Sequence, residues 1–118
     1  MWLFFYGEIM KRIEMIKNRN EFSDIITNGK YVKDDNFAIY YKDNENNTYP
    51  KFGIAVKKSI GKANVRNKLK RKTRAVIDNN KKEFKNKKDY IIMIRRGCLI
   101  NKYSTLNDSI INLLERIK

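Results

Sequence analysis

The sequence predicts a single α+β domain, a four-stranded sheet with helices packed on it. Three observations lead there. Two central segments, residues 36–42 and 51–57, alternate apolar and other residues at a period of two. Three other stretches carry apolar residues at helical spacing. A length of 118 residues suits one domain, and no Pro/Gly/Ser-rich stretch divides it.

The elements follow in order. Asn18 or Asn20 is placed to cap a short helix whose Phe22, Ile25 and Ile26 share one face. Asn28-Gly29 closes it, with Gly29 free to adopt the left-handed conformation. Tyr31-Val32 adds a short strand. In residues 36–42, Phe37, Ile39 and Tyr41 lie on one face and Ala38, Tyr40 and Lys42 on the other. The Asn-dense residues 43–50 read as a polar hairpin loop. In residues 51–57, Phe52, Ile54 and Val56 face inward, while Gly53 and Ala55 leave the opposite face shallow.

Ser59-Ile60-Gly61 is a turn. A helix over 64–79 follows, with Val65, Leu69, Thr73 and Val76 as a narrow stripe. Residues 81–88 form a charged connector, helical through Phe84. Residues 89–95 are almost continuously apolar, the pattern of a strand buried on both faces. Ser104 caps a final helix with a stripe of Leu106, Ile110, Leu113, Leu114 and Ile117. The order is αβββαβα.

The first nine residues stand apart from the domain at 10–118. They are hydrophobic but lack the basic start and small-residue cleavage site of a signal peptide. Two readings stand: translation begins at Met10, since Gly7-Glu8 is compatible with a ribosome-binding GGAGAA, or the segment packs on the domain or mediates contacts.

Composition narrows the function. Lys plus Arg is 27 against 13 Asp plus Glu, a net charge of +14, which directs attention to nucleic acid or an anionic membrane. No apolar run reaches the roughly 18 residues of a membrane span. There is no His, so the commonest general base and metal ligand is missing. A single Cys98 forms no internal disulfide, which fits a reducing cytoplasm. Ser and Cys have no His partner, so no catalytic side-chain constellation is expected.

The positive charge is concentrated. Lys57, Lys58, Lys62, Arg66, Lys68, Lys70, Arg71, Lys72 and Arg74 occur in eighteen residues without one acid. A charge run is ordinarily a solvated helix face. This one is single-signed, continuous, and preceded by a Gly turn that can approach phosphate closely. Arg66 and Arg71 suit bidentate phosphate contacts, and Lys68, Lys70 and Lys72 act as point charges. Ser59-Ile60-Gly61-Lys62 is neither a Walker loop nor a KH-type clamp, since the second Gly is missing in each case. Strand aromatics are ordinarily core, yet Phe37 and Tyr40 lie on opposite faces. One of them is therefore away from the main core and able to stack on a splayed base.

KFGIAVKK, SIGKA and VRNKLKRKTRAVI together closely resemble the signature of the bacterial ribonuclease P protein family. EFSDIITNGK upstream resembles that family's opening Phe-containing helix, and KKDYIIMIRR its fourth strand. Lys68 stands where a second Arg is usual, keeping charge but losing the fork, and Lys72 where an apolar residue is usual.

The resemblance implies a left-handed βαβ crossover around the basic helix, against the general right-handed preference. It also implies a protein subunit that assists a catalytic RNA in cutting the 5′ leader from precursor tRNA, with Mg²⁺ held by that RNA. Lys57, Lys58, Lys62, Arg66, Asn67, Lys68, Lys70, Arg71 and Arg74 would meet the RNA. Phe22, Ile26, Phe37, Tyr40 and Lys42 would line a leader cleft between the first helix and the sheet. The expected partners are ribonuclease P RNA and precursor tRNA, with no membrane and no required protein. The alternative is a ribosomal or other structural RNA-binding protein with no part in catalysis. A double-stranded DNA binder fits less well, because a strand follows the basic helix.

Overall fold

Alternation in the strands sorts the sheet into two faces, and the computed structural model, which describes residues 19–46 and 49–117, shows helices on both. Helix α1 is Arg19–Asn28, followed by strands β1 Lys30–Lys33, β2 Phe37–Asp43 and β3 Lys51–Val56. The basic helix α2 is Ala63–Asn79, strand β4 is Lys88–Ile94, and helix α3 is Tyr103–Glu115. Short 3₁₀ turns cover Lys58–Ile60, Lys81–Glu83 and Arg96–Leu99. The reading of residues 1–9 and of Asn18 as a cap lies outside the described residues.

The strand order is β1-β2-β4-β3, with β1/β2 and β2/β4 antiparallel and β3/β4 parallel. The polar segment after β2 is therefore not a hairpin. β4 lies between β2 and β3, and the Asn44 amide donates to the Lys87 carbonyl at 2.7 Å, continuing toward β4. The reason is burial. Tyr90, Ile91, Ile92 and Ile94 are all enclosed, and an apolar strand covered on both faces belongs in the sheet interior.

The main core joins Phe37, Ile39, Phe52, Tyr90, Ile92 and Ile94 to the stripes of α2 and α3. In α2 the buried residues are Leu69, Thr73, Val76 and Ile77. In α3 they are Leu106, Ser109, Ile110, Leu113 and Leu114. A smaller core on the other face sets α1 on the sheet, through Ile25 and Ile91 with Phe22, Ile26 and Tyr40 packed around them.

Three local expectations need correction. Gly29 does not take a positive φ. Its need is space, since a Cβ there would lie 2.4 Å from the Ile25 carbonyl oxygen and 2.6 Å from that of Tyr41. Asn20 lies within the first turn of α1 rather than before it. Ser104 does not cap α3, because the N-cap is Lys102 and no side chain caps the end.

Candidate nucleic-acid interface

Helix α2 is anchored by one stripe, which leaves the rest of its circumference to cations. Lys57, Lys58, Lys62, Asn67, Lys68, Lys70, Arg71 and Arg74 are exposed, and Arg66 and Lys72 are half-buried. No acid stands in the first turn of α2, and its N-cap residue, Lys62, makes no side-chain cap. The bare N–H groups and positive dipole end of the helix thus add to the lysines around them. Gly61 has an extended φ of 166°. The space it leaves faces Val65, whose Cγ1 a Cβ there would meet at 3.2 Å, so the glycine lets the turn pack on the helix.

Asp24, Asp43 and Asp78 pair with cations outside this run. Lys42 pairs with Asp24, and Lys88 with Asp43. Hydrogen bonding from Lys42, then Asn28, holds the Asp24 carboxyl below the usual carboxylate range. Lys88 does the same for Asp43, by hydrogen bond and then by charge. Among the described residues no acid forms an ion pair with any cation from Lys57 to Arg74. Arg66 Nε is shut from solvent and has no acceptor. A surface of uncompensated like charges repels itself and gains by meeting a polyanion.

The face of the sheet that α1 occupies is only partly covered. Beside the helix lies a cleft of about 680 Å³ bordered by Tyr40, Ala38 and Met93, with Lys33, Arg95 and Arg96 among its polar lining. Lys57, Ser59 and Ile60 also line it, so the cleft opens onto the start of the basic segment.

The expected cleft residues divide. Phe22 and Ile26 of α1 join Tyr40 around Ile25 and Ile91, and of the three only Tyr40 lines the cleft. Phe37 does not join them. It is 0% exposed in the main core on the opposite face, where β2 alternation puts it beside Ile39 and Tyr41. Lys42 is held by Asp24 and lines a separate hollow with Gly29, Lys30 and Lys88. Sequence reasoning passed over Lys33, Met93, Arg95 and Arg96. The available signal was Met93, the odd-faced member of β4 opposite Ala38.

The described residues hold no group of three or more acidic, Cys or His side chains able to bind a metal. Cys98 is buried, donates to the Asn36 carbonyl oxygen at 3.0 Å, and has its thiol pKa pushed up to about 12, chiefly by burial. No described helix is long and apolar enough to cross a membrane.

A basic helix carried on a mixed sheet, with a cleft opening beside its start, defines the class: an α+β nucleic-acid-binding protein. The chain belongs to the ribonuclease P protein family, whose model, described as Ribonuclease P, matches residues 10–118. It is 46% identical over 110 residues to the ribonuclease P protein component of Mycoplasma mycoides, covering 92% of this chain and 100% of that protein. It is 35% identical over 107 residues to the Bacillus cereus component, covering 91% and 93%. The ribonuclease P protein of Thermotoga maritima superposes with a TM-score of 0.79 at 30% identity, covering 89% of this chain and 98% of that one. A mutant of the Staphylococcus aureus protein gives a TM-score of 0.85 at 26% identity, covering 95% and 94%. The role is therefore that of the protein subunit of ribonuclease P, associated with ribonuclease P RNA.

Proposed function

We propose that the basic face grips ribonuclease P RNA while the cleft beside α1 receives the 5′ leader of precursor tRNA. Lys57, Lys58, Lys62, Arg66, Asn67, Lys68, Lys70, Arg71 and Arg74 supply the RNA contacts. Tyr40 borders the leader path, with Phe22 and Ile26 packed beside it, Lys33 and Arg96 available to leader phosphates, and Arg95 already donating to the Asp34 carbonyl oxygen at 2.6 Å. Phosphodiester hydrolysis is the work of the RNA, which holds the Mg²⁺ that such chemistry requires. The protein's residues bind and orient. They offer no His, and the buried Cys98 thiol is a poor nucleophile in its protonated form. The setting is the cytoplasm.

The observation that carries this reading is the run of cations from Lys57 to Arg74, without an acidic partner among the described residues, meeting the cleft at Lys57. The test is reconstitution with ribonuclease P RNA from the same source, assayed on precursor tRNA at low Mg²⁺. The protein should raise cleavage by the RNA and cleave nothing alone. Robust Mg²⁺-dependent cleavage by rigorously RNA-free protein would overturn the division of labour.

A further inference from the structure

Strand register sets the residues of the cleft-bearing face side by side in rows. One row runs Tyr31, Tyr40, Ile91, Gly53, and the next runs Lys33, Ala38, Met93, Ala55. Helix α1 covers the far end of the first row, with Phe22 against Gly53 and Ile25 against Ile91. The near end is open. Tyr31, on the edge strand β1, is 56% exposed. Its ring centroid lies 5.5 Å from that of Tyr40 with the planes 32° apart. Lys33 follows on the same face of β1. Its ammonium stands 6.0 Å from the Tyr31 ring centre, and the residue also lines the cleft.

A large ring exposed on an open sheet face, with a cation two residues along, is the combination on which single-stranded nucleic acid stacks: a flat surface for a base and a charge for its phosphate. Tyr40 offers such a ring at the cleft. Tyr31 offers another beyond it, at the sheet edge. We propose that Tyr31 is a second stacking position, which carries the single-strand path out of the cleft and across β1, with Lys33 taking the adjoining phosphate. This rests on the reading that the leader occupies the cleft.

The test measures affinity of the reconstituted protein–RNA complex for mature tRNA and for precursor tRNAs with leaders of increasing length. Tyr31→Ala and Tyr31→Leu should each lose about five- to tenfold of the leader-dependent gain, the low end of base–aromatic stacking. Tyr31→Phe should keep it, and mature tRNA should bind all variants alike. The loss should persist in a Tyr40→Ala background, because the two rings serve different bases. A loss that disappears in that background would mean that Tyr31 only props Tyr40, and the proposal would fall. Wild-type behaviour of Tyr31→Ala at every leader length, while Tyr40→Ala loses affinity, would overturn Tyr31 and leave the leader reading standing. No leader dependence in the wild-type complex would overturn both.

Discussion

A Cβ placed on Gly53 would lie 2.9 Å from Cε2 of the Phe22 ring. This pair sets how closely α1 rides on the sheet, since Gly53 lies on β3 directly beside Ile91 in register. Any side chain at 53 must push the ring, and with it the helix that packs beside Tyr40 of the cleft.

Gly53→Ala should therefore cost about 1–3 kcal/mol, as overpacking does. Gly29→Ala should cost more. The atoms it would meet are the backbone oxygens of Ile25 and Tyr41, which cannot swing aside as a ring can. Thermal unfolding of both variants checks the order. Phe22→Leu should recover part of the Gly53→Ala loss in a double-mutant cycle, because the two residues touch. Simple additivity would show that the ring is not what the new methyl meets.

Arg66→Ala should weaken binding to the RNA subunit by about 1–3 kcal/mol, as loss of a charge-assisted contact does. It should leave thermal stability nearly unchanged, because Arg66 Nε has no acceptor within the described protein to lose. Asn67→Ala should hurt binding less. With around six phosphate contacts, log affinity should fall with log salt at a slope of roughly −4 to −5. A flat salt dependence would remove the basic face from the interface.

Much of this was legible in the residues, for identifiable reasons. Period-two alternation puts Phe52, Ile54 and Val56 on one face and Gly53 and Ala55 on the other, so a shallow face was legible, though not that α1 seats on it. The one-signed run from Lys57 to Arg74 was legible as a basic face without acidic partners among the described residues, because charge is written directly in residue type. Strand order was not legible. Pairing of β4 between β2 and β3 is non-local, and the Asn-rich segment after Asp43 has the composition of a hairpin loop without its pairing. Assigning Phe37 to the cleft failed for a related reason. Alternation showed that Phe37 and Tyr40 lie on opposite faces, but not that α1 lies on the Tyr40 face. Lys42 shares that face, yet the reach of Asp24 from α1 claims it.

Cys98 supplies a pH dependence. Its thiol ordinarily titrates near 9.0 and is pushed up to about 12 in the folded protein, with burial the main cause. The unfolded chain therefore releases this proton at lower pH than the folded one. Stability from this group is unaffected below about pH 9 and declines as pH rises toward 12. Cys98→Ala should flatten that decline, after allowance for a baseline offset from the lost packing. Alkylation of the native thiol at pH 8 should be slow and should accelerate when denaturant opens the core. Rapid native-state alkylation would contradict its burial.

Three aromatic truncations separate core from cleft. Phe37→Ala removes a fully enclosed ring from the main core, so it should cost about 3–5 kcal/mol of stability. Any binding loss it shows should follow from unfolding alone. Tyr40→Ala should spare the fold better, because Tyr40 is half-buried and borders the open cleft. It should weaken precursor tRNA binding by about 1–3 kcal/mol, the value of one stacked base, and leave mature tRNA untouched. Phe22 lies between these cases. It is half-buried, and its ring fills the seat over Gly53. Phe22→Ala should therefore lose both some stability and some leader affinity. Unfolding curves measured beside both affinities distinguish the contributions. If a well-folded Tyr40→Ala loses equal affinity for precursor and mature tRNA, its ring is not meeting the leader, and the cleft must serve another part of the RNA.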